Sequence, residues 1–157
     1  MARTARILIV DDFPDIAEIF AYLFRRFGYE SRIATDGLQA IAMAKEFRPK
    51  FVLLDLGLPN INGFETAKRL RNESWSRGMV LIALSGHWSK EYQRFAQEVG
   101  FDRYLCKPMP VKDIVALIEE LSHLEDGGVE NDGRSATCVK TQQAAFDLAY
   151  MRSAVPN

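Results

Sequence analysis

The chain of 157 residues has little of what marks several classes of protein. Its two cysteines, Cys106 and Cys138, have a spacing that suits neither a metal-binding motif nor a disulfide framework. No apolar run approaches the ~20 residues needed to cross a bilayer, and the start of the chain lacks a signal-peptide pattern. A net charge of −1 provides no basic excess for binding nucleic acid. We therefore expect a reduced, cytoplasmic protein with no membrane or nucleic-acid partner.

The composition is that of an ordinary globular protein. Hydrophobic residues make up 48% of the chain and charged residues 26%, which predicts a domain with a substantial core. Short apolar runs typical of strands alternate with stretches of helical periodicity, and several runs are apolar throughout, like strands covered on both faces. The strand-like runs are 6–10, 31–35, 51–55, 79–84 and 103–106.

Helices are predicted between these runs by apolar residues at helical spacing. In the first helix Pro14 suits the first turn and Gly28 the C-terminal end. Its regularly spaced apolar residues are Ile16, Ile19, Phe20, Leu23, Phe24 and Phe27. Further helices are predicted near 37–47, from Asn62 with Glu65 as a capping-box-like pair, near 89–98, and over 110–123. The buried stripe of the last is predicted to be Ile114, Leu117, Ile118 and Leu121.

Five strand–helix units within about 120 residues predict an α/β fold with a doubly wound parallel sheet and right-handed crossovers. The pattern alone does not fix the order of the strands. The flavodoxin-like order 2-1-3-4-5 is attractive because it places strands 1 and 3 side by side. Asp11, Asp12 and Asp55, which end those two strands, would then converge.

The amino-acid composition of the chain changes after Leu124. Residues 125–133 are acidic and rich in glycine, which predicts a flexible linker, and residues 139–152 have the pattern of a short helix. We therefore expect a domain over residues 1–124 and a short C-terminal extension over 125–157.

Polar groups follow four of the strand-like runs, at the sheet edge where ligands bind in such folds. They are Asp11 and Asp12, Asp55, Ser85, and Lys107. Clustered carboxylates without histidine or cysteine suit Mg²⁺, with Mn²⁺ as a substitute. Asp55 suits a nucleophile that accepts a phosphoryl group, and Lys107 and Ser85 suit stabilisation of that group.

The chain resembles the receiver domain of two-component response regulators over roughly residues 5–123. Each supporting motif is weak alone, but all four occur in order at the ends of strands. They are Val10-Asp11-Asp12, Leu54-Asp55-Leu56-Gly57-Leu58-Pro59 with Gly63, Ala83-Leu84-Ser85-Gly86, and Tyr104-Leu105-Cys106-Lys107-Pro108.

The resemblance implies a phosphorelay switch that forms an aspartyl phosphate on Asp55. The phosphoryl donor would be a phosphohistidine of a sensor histidine kinase or a histidine phosphotransfer protein. Asp12 would bind Mg²⁺ directly and Asp11 through water, while Asp55 and the carbonyl of Gly57 would complete the protein ligands. Lys107 would be catalytic with Asp55. The domain would catalyse only this transfer and the later hydrolysis, with no turnover of small substrates.

The resemblance also implies how the signal leaves the site. Ser85 and Gly86 would move toward the phosphoryl group, and Tyr104 would turn from an exposed to a buried position. His87, two residues past Ser85, is a candidate modulator of the lifetime of the phosphorylated state. The face formed by helix 4, strand 5 and helix 5, including Tyr92, would contact an effector protein or form a homodimer. The extension is too short for a usual output domain, so we expect signalling through protein contacts.

Two other functions stay open at this point. One is an interaction module that no longer depends on phosphorylation, which the complete set of acids and the lysine disfavours. The other is a Mg²⁺-dependent phosphohydrolase resembling the haloacid dehalogenases, which carry Asp-x-Asp at the nucleophile. Here Gly57 stands two residues after Asp55, so the general acid of that class is missing.

Overall fold

The computed structural model describes residues 4–126. Cys138, the predicted helix 139–152 and residues 127–133 of the predicted linker lie outside this range, while residues 125 and 126, predicted as linker, form the end of the last helix. The elements are β1 (Arg6–Val10), α1 (Pro14–Arg26), β2 (Glu30–Ala34), α2 (Gly37–Phe47), β3 (Phe51–Asp55), α3 (Gly63–Asn72), a 3₁₀ turn (Ser74–Ser76), β4 (Val80–Ser85), α4 (Lys90–Val99), β5 (Arg103–Cys106) and α5 (Val111–Asp126).

The five strands form one parallel sheet in the order β2-β1-β3-β4-β5. The predicted flavodoxin-like order is thus confirmed. β3 lies at the centre with all five residues buried, and its pairing of Leu54 with Val10 brings the ends of β1 and β3 together. Helices cover both faces, with α1 and α5 on one side and α2, α3 and α4 on the other.

Several local predictions are confirmed. Pro14 begins α1, and Gly28 follows the helix end with φ +89°, a left-handed conformation that glycine adopts without strain. The Asn62 side chain accepts a hydrogen bond of 2.9 Å from the backbone N–H of Glu65. The Glu65 carboxylate pairs with Arg69. All four residues of the predicted α5 stripe are buried.

α1 and α4 bury small residues where the sequence offers larger ones. The residues of α1 that face the sheet are Ala17, Ala21 and Phe24. Ile19, by contrast, is 58% exposed, and in α4 the buried residue is Ala96. Ala17 and Ala21 let the backbone of α1 approach the sheet closely, while the larger Phe24 is buried about one turn further along the helix. The helical period was predicted correctly, but residue size did not indicate the buried side.

Arg71 of α3 joins three parts of the chain that are distant in sequence. Its guanidinium donates to the carbonyls of Gly100, Ser76 and Met79 and to the carboxylate of Asp102, at 2.6 Å from Oδ2. Both side chains of this ion pair are less than a third exposed. The arginine therefore holds the 3₁₀ turn and the loop before β5 against α3.

Within residues 4–126 no helix is long and apolar enough to cross a membrane.

We expect Arg71→Ala to lower the free energy of unfolding by about 2–4 kcal/mol, because the carbonyls of Gly100 and Met79 lose the guanidinium as donor and the Asp102 carboxylate loses its cationic partner. Arg69→Ala is the matched control on the same helix. Its ion pair with Glu65 is exposed to solvent, so its removal should change the free energy of unfolding far less. Urea denaturation measures both, and equal losses in the two variants would contradict the role assigned to Arg71.

Candidate functional site

Three carboxylates meet at the carboxyl edge of the sheet. Asp55 ends β3, and Asp11 and Asp12 follow the adjacent strand β1. One oxygen atom from each lies within 4.8 Å of the other two. Asp11 and Asp55 are buried and Asp12 is partly buried. An all-oxygen donor set of this kind fits a hard divalent cation such as Mg²⁺.

Lys107 reaches this cluster from the loop after β5. Its backbone N–H donates to the carbonyl of Ser85 at 2.7 Å, which anchors the loop beside β4. Its side chain then donates to Oδ2 of Asp55 at 3.0 Å and to Oδ2 of Asp11 at 3.1 Å. Burial alone would lower the pKa of Lys107, but the hydrogen bonds and charges of Asp55 and Asp11 outweigh it and raise that pKa. The ammonium therefore stays charged at neutral pH.

The loop after β3 fixes the orientation of Asp55. Its Oδ1 accepts a hydrogen bond of 2.9 Å from the backbone N–H of Gly57. A Cβ on Gly63 would lie 2.5 Å from the Asp55 carbonyl and 2.7 Å from Cα of Leu56, so only glycine lets α3 start this close. Gly57 is exposed, and a Cβ there would have room at 3.6 Å from Asp55 Oδ1. The Asp55 carboxylate is thus fixed in orientation by the Gly57 N–H, and the space beside Gly57 leaves it accessible to a reactant.

Ser85 and Tyr104, two residues that were predicted to form the switch, both bond to the backbone of His87. Its N–H donates to Ser85 Oγ at 3.0 Å, and its carbonyl accepts a hydrogen bond of 2.7 Å from the Tyr104 hydroxyl. Tyr104 is only 1% exposed, so it occupies the buried one of its two predicted positions. Gly86 is exposed between Ser85 and His87. Any movement of Ser85 or Tyr104 must therefore act on this loop.

A cavity of about 720 Å³ extends from Asp55 toward α3 and α4. Its lining residues are Asp55, Leu56, Gly57, Asn62, Phe64, Ser85, Gly86, His87, Glu91, Tyr92 and Phe95. Sequence reasoning missed this side of the site because it counted Phe64 and Phe95 only as helix-forming apolar residues. The sequence feature that could have indicated this wall is Ser89, because it caps α4 and so places the first turn of that helix shortly after the end of β4.

Tyr92, which was predicted to lie on the partner-binding face of α4, β5 and α5, contacts residues on the α3 side of α4. Its ring centroid is 5.9 Å from that of Phe64 on α3 and 5.8 Å from that of His87. Its side chain therefore forms part of the wall between α3 and α4.

The fold and the site together define a class: α/β domains that hold acids, a lysine and a hydroxyl at one sheet edge for phosphoryl chemistry. The response regulator receiver domain model matches residues 7–119. The chain therefore belongs to the receiver domains of response regulators, the phosphorylation-dependent switches of two-component signalling.

Individual relatives agree with this family. The DNA-binding response regulator MtrA of Mycolicibacterium smegmatis is 36% identical over 113 residues, which cover 72% of this chain and 48% of that protein. The DNA-binding dual master transcriptional regulator RpaA of Synechocystis is 32% identical over 77% of this chain and 50% of that protein. The chain thus spans about half the length of these curated relatives, and DNA binding is stated for those proteins.

Solved receiver domains show the same fold. A CheY-like receiver domain protein from Methanospirillum hungatei has a TM-score of 0.73 at 30% identity, covering 80% of this chain and 100% of that one. The chemotaxis response regulator CheY4 of Vibrio cholerae has a TM-score of 0.72 at 27% identity, covering 76% and 99%.

We expect Lys107→Met to lower the free energy of unfolding by about 2 kcal/mol in metal-free buffer, because two buried carboxylates lose their cation. Added Mg²⁺ should recover most of this loss. Since folding raises the pKa of Lys107, its contribution is complete below the ordinary value of 10.5 and is lost only as the pH rises through the raised pKa. The difference from wild type should therefore be constant across neutral pH in urea titrations.

The control for this experiment is Lys90→Met, which removes an exposed lysine at the start of α4. An unfolding free energy that is the same in the Lys107 variant and in wild type would contradict the ionic role of Lys107.

Proposed function

We propose that this chain accepts a phosphoryl group on Asp55 and transmits the resulting change through protein contacts. The observation that carries the proposal is the Lys107 ammonium, held 3.0 Å from Asp55 and 3.1 Å from Asp11 among three clustered carboxylates. A positive charge in that position lies where the charge of an incoming phosphoryl group would collect.

The residues divide the work of binding a metal and orienting the phosphoryl group. Asp12 and Asp55 would hold Mg²⁺ directly, Asp11 through a water molecule, and Gly57 through its carbonyl. Bound there, Mg²⁺ supplies positive charge to the oxygens of the transferring group. Lys107 supplies a second positive charge, beside Oδ2 of Asp55.

In the proposed transfer, one oxygen of Asp55 attacks phosphorus while the P–N bond of a phosphohistidine breaks. The electron pair of that bond leaves with the imidazole, and the product is an acyl phosphate on Asp55. In the later hydrolysis that ends the signal, water attacks phosphorus and the Asp55 carboxylate leaves. The open approach at Gly57 admits that water, and His87 at the cavity wall is the proposed modulator of its access.

The free energy that shifts the domain between its two states is the sum of several modest contributions. The Ser85 hydroxyl accepts a hydrogen bond from His87 and still has its own proton to donate to a phosphoryl oxygen, a bond of about 1.5–3 kcal/mol. Reversing a two-state equilibrium takes about 5.5 kcal/mol. A new contact from Lys107 to the phosphoryl group would add to this, whereas Tyr104, already only 1% exposed, would gain no further burial.

We further propose that the phosphohistidine protein docks on the apolar flank of α1. Phe13 follows Asp12 directly and is 60% exposed, and Ile16 and Ile19 on the following turns are exposed as well. These side chains begin at the edge that carries the acids, so a protein bound to them can present a phosphohistidine to Asp55. The class of phosphodonor is a sensor histidine kinase or a histidine phosphotransfer protein.

Asp55→Asn should abolish phosphorylation by phosphoramidate with Mg²⁺, because the amide is not a nucleophile of this kind. Asp12→Asn should keep the nucleophile but lower the Mg²⁺-dependent rate by about tenfold or more. Asp15→Asn, an exposed acid in the first turn of α1, is the control and should behave as wild type. Mass spectrometry measures the adduct, and a phosphoryl adduct that persists in the Asp55→Asn variant would refute the assignment.

Ile19→Ser should lower the rate of transfer from a phosphohistidine protein by about tenfold and leave phosphorylation by phosphoramidate unchanged. The change removes apolar area from the docking surface without touching the carboxylates. Leu38→Ser alters an equally exposed residue on α2, across the sheet, and is the control. Equal rates for both variants with the protein donor would place the docking surface elsewhere.

A further inference from the structure

α3, α4 and the loop before α4 enclose an aromatic groove, defined here by Phe64, His87, Glu91, Tyr92 and Phe95. The rings of Phe64 and Phe95 pack edge to face with centroids 4.8 Å apart. Tyr92 is 45% exposed and Phe95 48% exposed, although both contact Phe64. Half-exposed aromatic rings that line one concave surface are typical of a binding site.

The charges of the groove select the chemistry of its ligand. The lining of the cavity contains the exposed carboxylate of Glu91 and that of Asp55, which is paired with Lys107, and it contains no lysine or arginine. Among residues 4–126 no cationic side chain is paired with the exposed Glu91. Aromatic faces attract cations, and a neighbouring carboxylate adds to that attraction. A positively charged side chain flanked by apolar ones therefore complements the groove.

We propose that the aromatic groove binds a segment of an effector protein that inserts an arginine between the rings of Tyr92 and Phe95, with Glu91 as its ionic partner. This inference rests on the proposed function, since it identifies the surface that transmits phosphorylation of Asp55. A cavity of about 720 Å³ accommodates several side chains of such a segment.

The groove is connected to the phosphorylation site through His87. The imidazole of His87 lies 5.8 Å from the ring of Tyr92, while its backbone is bonded to Ser85 Oγ and to the Tyr104 hydroxyl. When Ser85 turns toward a phosphoryl group, the position of His87, and with it the wall of the groove, must change. Phosphorylation also adds negative charge at the Asp55 end of the cavity, which strengthens attraction for a cation.

Two other occupants fit the charges less well. In a symmetric dimer through the groove, the same patch meets itself, so Glu91 of one copy would approach Glu91 of the other. The apolar stretch at 145–150 of this chain carries Asp147 and no lysine or arginine, so it would bring a third acid to the groove.

The test titrates the full chain with the peptide Leu-Ala-Ala-Arg-Leu-Ala-Ala-Leu and with the same peptide carrying neutral citrulline in place of arginine. Amide chemical shifts in NMR spectra locate the site. We expect the arginine peptide to shift Phe64, Glu91, Tyr92 and Phe95 and to bind about tenfold more tightly than the citrulline peptide. With Mg²⁺ and beryllofluoride, which mimics the phosphoryl group on Asp55, its affinity should rise about fivefold or more.

Glu91→Gln should weaken the arginine peptide about threefold to tenfold and leave the citrulline peptide unchanged. Glu98→Gln makes the same charge change two turns along α4, outside the cavity lining, and should have no effect. Phe95→Leu keeps an apolar side chain but removes the ring, and should weaken the arginine peptide. These variants alter exposed side chains, so the spectrum of the free protein checks that each is folded.

Several results would overturn the inference. They are equal binding of the two peptides, shifts confined to α5, and equal effects of the changes at Glu91 and Glu98. Shifts of the groove that depend on protein concentration without peptide would assign it to a second copy. Phosphorylation of Asp55 by phosphoramidate is measured on the same samples. A protein that is phosphorylated but does not bind the arginine peptide refutes this inference and leaves the proposed function intact.

Discussion

The hydrogen bonds from Lys107 to Asp11 and Asp55 require three strands to end at one edge of the sheet. Asp55 ends β3, Asp11 follows β1 beside it, and Lys107 follows β5 on the far side of β4. Two carboxylates buried side by side repel each other unless a positive charge lies between them. The strand order therefore supplies the cation that makes burial of the acids tolerable. The same order places the acids at the carboxyl edge of the sheet, where Asp55 lines the cavity.

This ionic cluster is connected to the rest of the molecule through β4. The Lys107 loop is bonded to the carbonyl of Ser85, and the Ser85 hydroxyl is bonded to the backbone of His87. The same His87 backbone accepts the hydroxyl of buried Tyr104. A change in charge at Asp55 thus reaches the loop before α4 along short, directional contacts. Interfaces of this kind switch between discrete arrangements because packed side chains do not deform continuously.

Much of the fold and site could be predicted because each depends on a short, local pattern. Apolar runs identified the strands, and a polar residue at the end of each run identified the edge that carries the site. The strand order followed from asking which arrangement brings Asp11, Asp12 and Asp55 together. These predictions needed the residue types at the ends of strands and no knowledge of how side chains pack.

What could not be predicted depends on packing between distant elements. Ile19 and Ala17 lie on the same amphipathic helix, yet Ala17 is buried and Ile19 is 58% exposed, so apolar character alone did not identify the side that meets the sheet. Arg71 reaches the carbonyl of Gly100, 29 residues away, so no local window reveals its role. The aromatic groove is of the same kind, since Phe64 and Phe95 meet only once α3 and α4 are placed side by side.

The buried position of Tyr104 bears on where a signal can leave the domain. With its ring inside, β5 offers partners little aromatic surface, whereas Tyr92 and Phe95 remain half exposed on the α3 side of α4. Because His87 contacts both Tyr104 and Tyr92, a partner in the groove whose affinity differs between two positions of the loop would favour one of them. Linkage makes this effect reciprocal. If phosphorylation changes the affinity for such a partner by some factor, the partner changes the affinity of Asp55 for its phosphoryl group by the same factor. An effector on this surface would therefore act back on the equilibrium extent of the phosphorylation that recruits it.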